Sequence, residues 1–178
     1  MLALVLSALL VQAAPSPSAT PSAQPTATPV ALYVINLPEG WQTMTPPPAQ
    51  PAATELLSIA LGPTIRGFRT KINVIRDVLL DPSETIEVRA KESAAYITAH
   101  NYGKIIVSRA GKVCNGGRDG WHFESSGIYN GRRVYFDQRV LLDGGYEYVA
   151  TYTRPLGAPA DPAAKRALDT LCPLPTQS

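Results

Sequence analysis

The sequence predicts an α+β domain in which an antiparallel sheet carries two helices. Three observations predict it. Runs rich in branched and aromatic residues recur between turn signals on both sides of residue 90. The stretch 82–100 switches to helical periodicity behind a capping signal, and a second helical stretch, 162–172, opens on Asp161-Pro162. The chain has 178 residues, enough for one domain once its tails are set aside.

The chain opens on an uncharged apolar run, Met1 to Val11, too short to cross a bilayer, which takes about 20 residues. It suits the apolar region of a secretory signal, residues 1–13, with Val11-Gln12-Ala13 offering small residues for cleavage before Ala14. No Lys or Arg precedes the run, which departs from the signal pattern and leaves a start further upstream or a truncated signal open. Neither cysteine follows the run, so a lipid anchor of the lipoprotein kind is not expected, and no transmembrane span is expected after cleavage. Residues 14–30 hold almost only Ala, Pro, Ser and Thr. They have no apolar surface to bury and read as a disordered, Pro-stiffened spacer, either a stalk or a tolerated tail.

The globular domain is expected over 31–175, with 176–178 a tail. "ALYVINLPEGWQTM" reads as a short strand, a turn at Pro38–Gly40 and a return through Trp41. Thr45 to Pro51 is Pro-rich, cannot donate to a ladder, and reads as an exposed loop. "ELLSIALGP" and "TKINVIRDVLL" are strands. Asp81-Pro82-Ser83-Glu84 predicts a capped helix start, and Ile86, Ala90, Ala94 and Ile97 form its apolar stripe, with Glu87, Arg89, Lys91 and Glu92 largely off it. His100 then sits near the C-terminus of that helix, complementing its dipole.

Four strands follow. Asn130-Gly131 is a two-residue hairpin signal. It places Trp121 and Phe123 on one face with Val134, Phe136 and Val140, and His122, Glu124, Ser126, Arg133, Tyr135, Asp137 and Arg139 on the other. At Asp143-Gly144-Gly145 a three-residue loop is preferred to a two-residue one, because it sets Tyr148 and Tyr152 beside Val140 and Phe136. The closing helix buries Ala164, Leu168 and Leu171 and ends on Cys172.

Sixteen Lys and Arg against 14 Asp and Glu are too balanced and too scattered along the chain for a nucleic-acid partner. Two cysteines in an exported chain of this size most simply form one disulfide, Cys114 to Cys172. Neither C-x-x-C spacing nor a supply of histidines favours a metal or redox pair, and no metal or other cofactor is expected.

"LPEGW" after a short strand, "GFRTKINVIRDVL", the capped "DPSETIE" helix, the antiparallel strands, and "YVATYTRP" feeding a terminal helix together resemble the PsbP-like superfamily. The resemblance covers roughly Leu37 to Pro173. It implies an α/β/α sandwich around a central twisted antiparallel sheet, and no shared active site.

Motifs that carry chemistry are sparse. Gly116 to Gly120 lacks the ending of a phosphate loop, and no G-x-S-x-G elbow accompanies Ser125-Ser126 and His122. His122, Glu124 and Asp137 share a polar face and form a candidate polar-face site with Arg139, whose placement suits cross-strand ion pairing better than a cation site. Tyr135, Tyr148 and Tyr152 are candidate binding tyrosines within a Tyr-rich half. The leading expectation is a secreted or periplasmic, non-catalytic domain that binds an envelope protein, polymer or lipid. A carrier of a small apolar ligand between sheet and helix is the alternative, and a hydrolase stands last.

Overall fold

The computed structural model describes residues 32–46, 54–99 and 103–174. The expected signal segment 1–13, spacer 14–30, His100, Tyr102 and most of the Pro-rich loop lie outside these residues. Two-residue turns lay out the sheet. Arg66-Gly67, Asn130-Gly131 and Gly144-Gly145 all have positive φ at both positions, the conformation whose twist matches a hairpin. They close Ile65 on Phe68, Tyr129 on Arg132, and Asp143 on Tyr146.

The strands are β1 (Tyr33–Val34), β2 (Gln42–Met44), β3 (Thr54–Ile65), β4 (Phe68–Val78), β5 (Gly103–Val113), β6 (Arg118–Tyr129), β7 (Arg132–Asp143), β8 (Tyr146–Pro155) and β9 (Cys172–Pro173). Seven form one antiparallel sheet in the order β2-β3-β4-β8-β7-β6-β5. The edge strand β5 carries Lys104, Arg109 and Lys112, and a bulge between Ile105 and Val107 interrupts its ladder.

Side-chain alternation gives this sheet two apolar faces, and each takes one helix. Helix α2 (Pro162–Asp169) and the turn after it press Ala164, Ala167, Leu168 and Leu171 onto Ile72, Val74, Leu141, Tyr148, Ala150 and Tyr152. Helix α1 (Ile86–Ala99) sets Ala90, with Ile86 and Ala94, against Phe123, Val140 and Val149 on the other face. The result is an α/β/α sandwich. The Asp161 side chain accepts from Ala163 N–H at 2.8 Å and Pro162 opens the helix, so the predicted start of α2 holds.

Five details differ from the sequence reading. The 143–145 hairpin turns on Gly144-Gly145, so Val140 faces Val149 and Leu141 faces Tyr148. Tyr148 and Tyr152 therefore lie under α2, on the face away from Val140 and Phe136. Two consecutive glycines accept positive φ without penalty, which Asp143 would not. Helix α1 starts at Ile86, because Asp81 turns back on the Ser83 N–H and hydroxyl, while Thr85 Oγ1 accepts from Val88 N–H at 3.4 Å as the cap. Arg89 is buried rather than solvated: its Nη2 and Nε donate to Glu147 at 2.6 and 2.9 Å. Asp77 lies beside Glu147 on β4, and burial raises both carboxyls above the ordinary range.

The remaining two concern the termini. β1 does not return into β2; it pairs with β9, Val34 opposite Cys172. Helix α2 ends at Asp169 and Cys172 lies in β9, where it is bonded to Cys114 with the Cα atoms 4.6 Å apart. Cys114 holds φ 56° at the corner between β5 and β6. Beside it Asn115 N–H donates to Asp169 O at 3.0 Å, so the corner grips the end of α2 twice.

A disulfide closing 58 residues restricts the unfolded chain by about 4 kcal/mol in the loop-entropy account. The Cys114→Ser/Cys172→Ser protein is expected to lose about 4 kcal/mol in urea titration. A midpoint unchanged from the oxidised protein would contradict that role.

Candidate functional site

The polar face predicted on β6 and β7 is real, but α2 divides its members. Register pairs Glu124 with Asp137 and His122 with Arg139. Lys165, on the first turns of α2, reaches down to the carboxylate pair, with Nζ 2.8 Å from Glu124 Oε1 and 3.1 Å from Asp137 Oδ1. Tyr135 donates its hydroxyl to Glu124 Oε2 at 2.6 Å. The Arg154 guanidinium stacks over the Tyr135 ring at 4.1 Å, and its Nε is 3.7 Å from Asp137 Oδ2. Asp137 is 0% exposed. Both of its neighbours stand at ion-pair distance without hydrogen-bond alignment, so neither of its oxygens has a hydrogen-bond partner.

The two carboxyls are pushed in opposite directions. Burial alone would raise Glu124, but the hydrogen bonds from Lys165 and Tyr135 outweigh it and hold the group at about 2. Burial raises Asp137 against the pull of Lys165. Tyr135 is driven up to about 12, by burial and by the Glu124 carboxylate it serves. These groups spend their charge on one another and fasten α2 to the sheet.

His122 and Arg139 lie outside this cluster. The His122 Nε2 is 3.2 Å from the Lys112 carbonyl, and the ring packs over Gly111, where a Cβ would meet it at 2.3 Å. Burial, then Arg139, lowers its pKa. Arg139 Nε donates to Asp169 Oδ1 at 2.6 Å, a third tie on the C-terminal end of α2. Among the described residues no three His, Cys, Asp or Glu side chains gather to hold a metal ion. Tyr148 and Tyr152 are 5% and 1% exposed in the core under α2.

The sequence reading missed an open cleft of about 610 Å³ beside the start of α2. Pro38 to Trp41, Gly62 to Thr64, Arg69, Asp161 and Ala163 line it. The Trp41 indole meets the Tyr152 ring edge-on, 6.0 Å between centroids, and lies over Gly62. A Cβ at Gly62 would sit 2.5 Å from the indole and 2.6 Å from Thr70 Oγ1. Gly62 is thus the residue that lets Trp41 form the cleft wall, a pairing that no local pattern announces. The cleft offers an aromatic surface beside Arg69, which donates to Gln42 Oε1 at 2.6 Å, and beside Asp161, which caps α2, in an open setting suited to a chain or a surface rather than to an enclosed small molecule.

Two changes follow from this geometry. Gly62→Ala is expected to displace Trp41, cost about 2 kcal/mol by overpacking, and shift indole fluorescence towards the exposed range. Glu124→Gln is expected to cost on the order of 2 kcal/mol at pH 7. Because the folded carboxyl titrates below its ordinary value of 4.5, its contribution is complete above that pH and fades as pH falls towards 2. The difference between wild type and Glu124→Gln in denaturant titrations should therefore close over that window, and a gap that persists at pH 2 would contradict the assignment.

The sequence matches no family profile and no curated protein. Among solved structures it is similar to LpqN, described as involved in cell envelope biogenesis of Mycobacterium tuberculosis, at 14% identity and TM-score 0.48 over 79% of this chain and 83% of that one. It is similar to PA94, a protein of unknown function from Pseudomonas aeruginosa, at 16% identity and TM-score 0.50 over 82% of this chain and all of that one. A Bacteroides thetaiotaomicron protein follows at 12% identity and TM-score 0.46, over 82% of this chain and 46% of that one. At these identities the likeness is one of fold.

Proposed function

We propose that the chain works outside the cytoplasm as a non-catalytic domain that binds a component of the cell envelope. The observation that carries this reading is the Cys114–Cys172 bond, since such bonds form and persist in oxidising compartments. The apolar N-terminal run and the Pro-rich segment after it support export from the sequence side. The open cleft around Trp41 is the surface we assign to binding, because a half-buried Trp flanked by a cation and a carboxylate is a typical anchor for a partner.

The non-catalytic part of the reading rests on how the ionisable groups are occupied. Glu124 and Asp137 are engaged with Lys165, Arg139 with Asp169, and His122 with a backbone carbonyl. A carrier function is less well supported: Leu168, Leu171, Tyr152 and Ile72 fill the space between α2 and the sheet. The two-sided helical covering suits the layout of the PsbP-like superfamily, and we take that kinship as part of the proposal.

The test is co-sedimentation of the oxidised full chain with envelope fractions from its own host. We expect the chain to pellet with them, and Trp41→Ala to weaken retention about tenfold or more. Glu39→Arg, an exposed change in the same cleft that leaves the indole in place, should also weaken it. A chain that stays in solution, or two cleft variants that pellet like wild type, would overturn the reading.

A further inference from the structure

The sheet gathers cations that the sequence keeps apart. Seven of the 16 Lys and Arg make ion pairs within the domain. Arg66, Lys71, Arg132 and Arg133 make none among the described residues, and all four lie at one end of the sandwich. The β3–β4 and β6–β7 tips are separated in sheet order by β8, yet they meet there. Arg132 Nη1 donates to the Arg66 carbonyl at 3.4 Å, and its guanidinium lies against Gly67. The Phe68 and Tyr129 rings meet edge-on at 6.4 Å, and Lys71 Nζ sits 3.7 Å over the Tyr129 ring. Arg66 in turn lies against Gly157, in the loop after β8.

The segments of this end carry no acid of their own, while Glu39 and Asp161 line the cleft beside Gly62–Thr64 and Arg69. The stretches 62–76, 125–136 and 148–160, which build it, contain no Asp or Glu. Beside the cations stands Ile128, opposite Arg133 in register and 68% exposed. Arg66 adds an independent sign. It occupies the first turn position at φ 51°, where Asn or Gly is at ease and a long side chain is strained. An arginine at a position that favours asparagine points to work for its charge.

We propose that this tip docks on an anionic phospholipid surface, with Arg66, Lys71, Arg132 and Arg133 facing the headgroups and Ile128 entering the interface. Charge complementarity selects an anionic partner, and the bare isoleucine beside the cations selects a bilayer over a soluble polyanion. This rests on the envelope location proposed above but goes beyond it by adding a second surface, separate from the Trp41 cleft, and the two fail separately. A chain that pellets with envelope fractions but ignores anionic vesicles sinks this inference alone.

The experiment is sedimentation of the full chain with vesicles of phosphatidylglycerol and phosphatidylcholine, against phosphatidylcholine alone, over a range of salt. Binding is expected only to the anionic vesicles and should weaken as salt rises. Arg132→Gln/Arg133→Gln should weaken it about thirtyfold. Arg66→Asn should weaken it about fivefold while raising the thermal midpoint, so that loss of fold cannot account for the loss of binding. Ile128→Ser should weaken vesicle binding but leave soluble polyphosphate binding unchanged. Equal binding to neutral vesicles, or full binding by the double variant, would overturn the proposal. Vesicle binding that is indifferent to Ile128→Ser would overturn it in favour of a soluble polymer.

Discussion

A seven-stranded sheet with apolar side chains on both faces must be covered twice, and that constraint governs everything else in this domain. Helix α1 has 14 residues and covers its face with Ala90 and the partly buried Ile86 and Ala94. Helix α2 has only 8, too short to be stable alone. Its residence on the sheet depends on fastening. The Cys114–Cys172 bond, the Asn115–Asp169 backbone contact and the Arg139–Asp169 pair hold one end, while Lys165 and the carboxylates Glu124 and Asp137 hold the other. The same sulfur bond carries β1 with it, because Val34 pairs with Cys172.

The features legible in the sequence are those whose cause is local. Asn130-Gly131 needs nothing beyond its own backbone preference to make a hairpin, and Asp161-Pro162 caps α2 by itself. The cysteine pair was legible by elimination, since the chain has only two thiols and neither C-x-x-C spacing nor a supply of histidines offers them another role. What failed were elements whose position is set by distant partners. Arg89 reads as a solvated helix charge until Glu147, 58 residues away, gives it a buried carboxylate. Val34 and Cys172 pair across nearly the whole domain, and two-residue strands leave no periodicity to find. At 143–145 the choice of loop rested on joining tyrosines to a known apolar layer; the sheet instead had a second apolar layer ready for them.

Of the candidate site, the alternation rule placed His122, Glu124, Asp137 and Arg139 on one face correctly, but a face is wider than a site. Lys165 and Arg154 decide what Glu124 and Asp137 do, and both arrive from elements whose spacing to β6 and β7 no sequence pattern encodes. The Trp41 cleft was invisible for a different reason. Its shape depends on an absence, the missing side chain of Gly62, and glycine in a strand reads from sequence only as weakness or a bulge. The cations of the tip were visible singly and meaningless until the hairpins brought them together.

The edge strand β5 bears on how these molecules tolerate one another's company. Among the described residues it is the last strand of its sheet, and a flat edge strand would template pairing with a second copy. Lys104 and Arg109 stand along that strand without an ion pair among the described residues, Lys112 is paired with Asp119, and the bulge near Ile106 spoils its straightness. Two such rims brought edge to edge would set like charges against each other across a mismatched ladder. A border of this kind disfavours edge-to-edge pairing between copies of the domain.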